Sequence, residues 1–494
     1  MAHNRTSKRK EEKCDECSKE GGGLPTRVLD VSGQNVFLYV SRIEVEPYAA
    51  LSHCWGKLPV IQTHRSTLKE RSVEIPWTNL SKTFQDAVTT TRLLDDAEDW
   101  EKESGSMASI YECAQNVIAA SDGSDNNPGF LHDRHSQIAS KPINEGIDAG
   151  GESYQIRIRE GDDHRWYGNL LPPRSQIVRD SSQLSTPGWA FQERLLATRY
   201  VQFRSQELVW ECKTSLWCEC GTLSRPSQQR VPASKQALYK LLQSQDRQTI
   251  YSIWSRIVNN YASKVLTIGN DILPELSGLA KRFQAAGSGG YLAGLWREDL
   301  PLSLLAPSWS WASIDTSIAG SSLITESITD SKASAPTNIL ATIHDVFCES
   351  SVADPTGRVS AGRLTLSGKI VTIIAMARQV TSRYEPYESP FDWTAKLQHD
   401  FTNQRSLIGF HADTIIPNLH LEALICVLIA ETAGAPRALV LRKAKAGNPK
   451  GHLQGEVLYE RVGLIDRIIL GSSVRSSGWM GMFEHATIQT ISII

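Results

Sequence analysis

Residues 47–59 read "PYAALSHCWGKLP", and the reading of this stretch decides what kind of fold the N-terminal part adopts. Ser52, His53 and Cys54 are residue types that nucleophilic catalysis uses. In a strand, however, successive side chains alternate between faces. Ser52 and Cys54 then share one face, Leu51 and His53 share the other, and no Cys–His pair forms between neighbours. A nucleophile elbow needs glycines flanking the serine as Gly-x-Ser-x-Gly; here alanines and a leucine precede Ser52, and the glycine comes only at Gly56. The stretch therefore reads as a strand closed by Trp55 and Gly56. A nucleophile on it would need its base from elsewhere in the chain.

On either side, strand and helix patterns alternate. "TRVLDVSGQNVFLYVSRI" predicts two short strands around a turn at Ser32–Gly33. "NLSKTFQDAVTTTRLL" predicts a helix capped by Ser81, with Phe84, Ala87, Val88 and Leu94 on one face. Met107, Ile110, Tyr111 and Ala114 make a second helical stripe, and "NVIAAS" reads as a strand. "STPGWAFQERLL" predicts a helix with Thr186 as N-cap and Pro187 at its first position. "RYVQF" and "ELVWECK" read as paired strands. This alternation argues for an α/β layer. Residues 1–25 are charged with almost nothing to bury, and predict a disordered tail. The α/β domain is placed at 26–222, with core 48–198 and an insertion at about 135–180. A helical middle region follows at 223–325, and a β-rich C-terminal domain at 326–494.

The chain has 494 residues, enough for two or three domains, and is 40% hydrophobic and 21% charged. Its formal net charge of -2 gives no global drive toward nucleic acid. No apolar run reaches the roughly 18 residues that span a bilayer. The N-terminus lacks a signal-peptide stretch, and the nine cysteines read as free thiols in a reducing compartment. A soluble, cytoplasmic protein without nucleic-acid or membrane-spanning character is expected.

No nucleotide-binding or metalloprotease signature occurs. "GSGGYLAG" reads as a loop rather than a phosphate cradle. Cys14 and Cys17 form a C-x-x-C, and Cys212, Cys218 and Cys220 cluster about two hundred residues later. A zinc module wants two such pairs at a compact separation, so the cysteines read as ordinary thiols; neither a metal nor a cofactor is expected. Two glutamates stand out by position. Glu103 lies one turn before Met107, and Glu193 shares a helical face with Trp189 and Leu196. A carboxylate at an apolar face has its pKa raised and suits acid–base work. Against that, Glu193 reads more simply as a surface residue, or as a partner of Arg194 or Arg199.

Taken in order, "YAALSHCWG", "TFQDAVTTTRLL", "DWEKESGSMASIYECAQNVIAAS" with "PGFL", and "GWAFQERLLATRYVQF" resemble the heterokaryon incompatibility (HET) domain of filamentous fungi. "PSWSWASID", "YERVGLI" and "TIQTISII" resemble segments that follow it in long family members. The matching motif positions are Ser52, Trp55, Gly56, Asp86, Trp189, Gln192, Glu193 and Arg194. The resemblance implies a role in non-self recognition and regulated cell death, acting with a protein partner. It also implies a Toll/interleukin-1 receptor-like fold and, at most, a NAD-cleaving activity. Glu103 is then the first catalytic candidate and Glu193 the second. The alternative is a non-enzymatic scaffold that binds a partner through its β-rich C-terminal domain. One departure stands out: family members carry an aromatic and apolar strand where Leu94 here runs directly into Asp95. Its loss predicts unpaired neighbours in the sheet and an inactive domain.

Overall fold

In a computed structural model the chain divides into two compact units, Met1–Ser244 and Gln245–Ile494. The structure describes residues 24–42, 44, 46–54, 61–93, 107–121, 129–131, 141–147, 153–158, 182–185, 187–221, 223, 235–244, 246–262, 264, 272–305, 337–350, 354–376, 392–397, 408–412, 422–432, 435–444, 457–465 and 483–494. Residues 1–23 of the expected 1–25 tail, Thr186 as a cap, Glu103 as a catalytic candidate, and Trp55 and Gly56 as motif positions fall outside them.

The first unit is built on a five-stranded sheet. Its strands are β3 (Ala49–Ser52), β4 (Asn116–Ala120), β7 (Arg199–Phe203), β8 (Leu208–Cys212) and β9 (Leu216–Cys218), hydrogen-bonded in the order β3-β4-β7-β8-β9. The first three run parallel, and β8 and β9 fold back as antiparallel hairpins. Parallel neighbours require crossovers. The crossover from β3 to β4 carries helices α1 (Lys82–Leu93) and α2 (Met107–Cys113), and the one from β4 to β7 carries α3 (Gly188–Leu196). Two hairpins, β1 (Arg27–Asp30) with β2 (Phe37–Val40) and β5 (Lys141–Ile147) with β6 (Ser153–Ile158), stand outside this sheet. Helix α4 (Lys235–Ser244) ends the unit.

Both faces of the sheet are covered, as expected when central strands are uniformly apolar; all five residues of β4 are buried. On one face Tyr48, Ala50, Val117, Ala119 and Tyr200 pack with Ile110 and Tyr111 of α2 and Ala190 of α3. On the other, Ile118, Ala120 and Phe203 pack with Ala87 of α1 and Phe130. The α1 start follows the sequence: the Phe84 amide donates to Ser81 Oγ at 3.4 Å. For α3 Pro187 is the N-cap rather than the first helical residue; its extended ψ of 139° places it as the half-in residue, and Gly188 opens the helix.

Among the described residues β3 pairs directly with β4, from Ala49–Asn116 to Ser52–Ala119, and β4 with β7. β3 stands at the end of this order, with β4 as its strand partner among the described residues.

The second unit opens with α5 (Arg247–Ala262) and α6 (Ile272–Ala285), then the short hairpin of β10 (Tyr291–Leu292) and β11 (Leu295–Trp296). The glycine-rich stretch thus forms a tight turn, with Trp254, Phe283, Tyr291 and Trp296 meeting edge to face or stacked. Nine strands follow: β12 (Thr337–Ile339), β13 (Thr342–Ser350), β14 (Val359–Met376), β15 (Asp392–Leu397), β16 (Ile408–Ala412), β17 (Ala423–Thr432), β18 (Ala435–Lys443), β19 (Leu458–Ile465) and β20 (Thr487–Ile493). The C-terminal region is β-rich. Around Ile373 and Ile374, β14 pairs β15 on one side and β17 on the other, so β14-β15-β16-β19-β18-β17 closes into a ring. Ile373, Phe410, Leu424, Cys426, Val440 and Val462 form its core. Closure removes exposed strand edges. No described helix is long and apolar enough to cross a membrane.

Candidate functional site

Strand alternation puts Ser52 on the α2–α3 face of the N-terminal sheet, where it is 1% exposed. Its hydroxyl donates to Glu193 Oε2 in a short hydrogen bond. Glu193 comes from the buried face of α3, the helix that leads into β7, so two side chains 141 positions apart meet. Burial pushes the Glu193 carboxyl up to about 7, against the opposing pull of hydrogen bonds from Ser52 and Tyr111. Tyr111, on α2, also directs its hydroxyl to Leu51 O at 3.3 Å. Cys54 packs on the same face, and burial, with Glu193 nearby, holds its thiol above the usual range. Burial likewise raises the Tyr200 phenol, with Glu193 among its charged neighbours.

His53 points the other way. Its ring meets Phe84 of α1 at 5.3 Å, edge to face, and burial lowers its pKa to about 4. A neutral, desolvated imidazole behind the strand is not the base for Ser52. The group positioned to take a proton from Ser52 is Glu193.

A second polar group adjoins through α3. Arg194 Nε donates to Glu211 Oε2 at 2.7 Å. Burial works to raise Glu211, but Arg194 and Lys235 outweigh it and its carboxyl lies below the usual range. Burial brings Lys235 down to about 8, and its Nζ stands 5.4 Å from the centroid of the Tyr200 ring. Glu193 is 8% exposed, and the reading of it as a surface residue is thus overturned. The periodicity of α3 was visible in the sequence, but which neighbour faced the carboxylate depended on β3, distant along the chain.

The other motif residues divide by role. Asp86 is 2% exposed. Its Oδ2 accepts the amides of Phe130 at 2.8 Å and Leu131 at 3.0 Å, and its Oδ1 accepts Lys82. It therefore clamps the backbone of Phe130 and Leu131 onto α1 rather than joining Glu193. Gln192 is buried beside Glu193 on α3, and Trp189 is half-buried. Sequence reasoning undervalued Ser52 and missed Tyr111 as a partner of the carboxylate; the shared strand face of Ser52 and Cys54 was the available signal.

The fold and site thus define a doubly covered α/β domain with a buried carboxylate–hydroxyl centre between β3 and α3. Residues 48–193 match the family described as Heterokaryon incompatibility protein (HET). The match runs from Tyr48 at the threshold of β3 to Glu193 itself. No curated protein and no solved structure matches the chain.

Proposed function

We propose that this HET-domain protein acts in non-self recognition and triggers regulated cell death through the centre formed by Glu193, Ser52 and Tyr111. The observation that carries the reading is the buried Glu193–Ser52 hydrogen bond, which joins the two ends of the HET match. Holding a carboxyl near neutral pH beside a hydroxyl is costly for stability, and such perturbed groups cluster at functional sites. The reaction we assign is hydrolytic cleavage of the nicotinamide–ribose bond of NAD. Nicotinamide leaves with the bonding electron pair, water adds to the ribose carbon, and Glu193 accepts the water's proton. Ser52 and Tyr111 orient the carboxylate. A protein partner controls access to the buried centre.

Expression in a compatible filamentous fungus, with growth and NAD content scored together, tests this. The expected result is loss of viability with NAD depletion, both abolished by Glu193→Gln. Depletion that survives Glu193→Gln removes Glu193 from the chemistry. A version carrying the family's extra strand after Leu94 separates the active reading from the inactive one: death only in the restored chain assigns this chain as a silent relative.

A further inference from the structure

Away from that centre, at the hairpin end of the N-terminal sheet, three ligand-type side chains converge. Glu207 precedes β8, Cys218 ends β9, and Cys220 lies in the turn that follows. One carboxylate oxygen of Glu207 and the two sulfurs all lie within 4.8 Å of one another. The two Sγ atoms are 3.1 Å apart.

The backbone around them is arranged to hold this set. The Gly221 amide donates to Cys218 O at 3.0 Å, and Gly221 takes a φ of 76°, closing a tight Cys-x-Cys-Gly turn. The Leu223 amide approaches Cys218 Sγ at 3.5 Å, a contact that favours the thiolate. The Cys220 amide donates to Glu207 Oε2 at 3.1 Å, which ties the carboxylate to the same turn. Glu207 is only 1% exposed, and a carboxylate at that depth is favoured by a nearby cation.

We propose that Glu207, Cys218 and Cys220 bind a zinc-type divalent cation, with solvent at the fourth position on the exposed Cys220 side. Two thiolates select against magnesium and calcium, and the carboxylate favours zinc over monovalent copper. Tetrahedral zinc with Zn–S of about 2.3 Å and Zn–O of about 2.1 Å sets its ligands about 3.6–3.8 Å apart. The sulfurs, 3.1 Å apart, need to open by about 0.7 Å to reach that spacing. Cys212 is not part of the set; its sulfur contacts Thr214 Oγ1 at 3.4 Å. Binding releases the thiol protons and staples β9 to the β7–β8 hairpin.

The test uses the full chain, reduced, with Cys14→Ser and Cys17→Ser in every sample so that the other Cys pair is silent. Cobalt(II) is the probe, read by its thiolate charge-transfer absorption and then displaced by zinc. The expected result is one equivalent bound, lost in Cys218→Ser and Cys220→Ser, about tenfold or more weaker in Glu207→Gln, and unchanged in Cys212→Ser. Because Cys218 is buried, Cys220→Ser with an unaltered circular dichroism spectrum is the deciding variant. Unchanged binding in that variant overturns the proposal. So does a parent chain with no charge-transfer band, or one in which mass spectrometry finds Cys218 and Cys220 joined as a disulfide.

Discussion

Glu193 is the residue whose environment departs furthest from what its sequence neighbours suggest. Its folded pKa, about 7, stands above the ordinary 4.5. The native state therefore holds a proton that the unfolded chain gives up between those values. Stability is fully present below about pH 4.5 and is lost as pH rises toward 7, by roughly 3 kcal/mol over the whole window. His53 acts in the opposite sense. Its pKa falls from 6.5 to about 4, so its contribution is lost as pH falls through that interval. The two slopes oppose one another between about pH 4.5 and 6.5, leaving Glu193 alone above it. Glu193→Gln should raise the melting temperature at pH 8 and leave it nearly unchanged at pH 4.5, which thermal melts across pH will show. Asp86 makes a separate prediction. Asp86→Ala strands the amides of Phe130 and Leu131 and should cost about 2–4 kcal/mol in urea unfolding. Gly129→Ala should destabilise too, because φ is 69° there and a Cβ would sit 2.3 Å from Asp86 Oδ2.

Elements carry the next level of specification. β3 is only four residues long, yet its alternation sends Ser52 to the carboxylate face and His53 to the α1 face. A one-residue slip would exchange those environments and bury the wrong groups against each other. In the second unit β14 runs for 18 residues and serves two neighbourhoods, pairing β13 and β20 along its first part and β15 and β17 near its end. The ring it closes is filled by side chains such as Phe410, which is 0% exposed. Phe410→Ala should cost about 3–5 kcal/mol, read as a lower denaturant midpoint with an unchanged slope.

At the scale of the molecule, each unit has its own core, and in the second six strands close a ring among themselves. A fragment of residues 245–494 should therefore fold alone, with a β-dominated circular dichroism spectrum and a cooperative melt; a fragment that stays unfolded contradicts this. Much of this organisation was legible from the chain. The β3 alternation, the α1 cap at Ser81, the stripe of α2, the β7–β8 hairpin and the β-rich C-terminal region all follow from local periodicity, which is written in residues a few positions apart. The pairing of Ser52 with Glu193, the diversion of Arg194 to Glu211, the clamp of Asp86 on residues 130–131 and the meeting of Glu207 with Cys218 and Cys220 were not legible in this way. Each depends on which face of one element packs against which face of another. Periodicity says that a face is apolar, but only the packed sheet says what lies across from it. Burial, which sets the charge state of Glu193, exists only once that packing is complete.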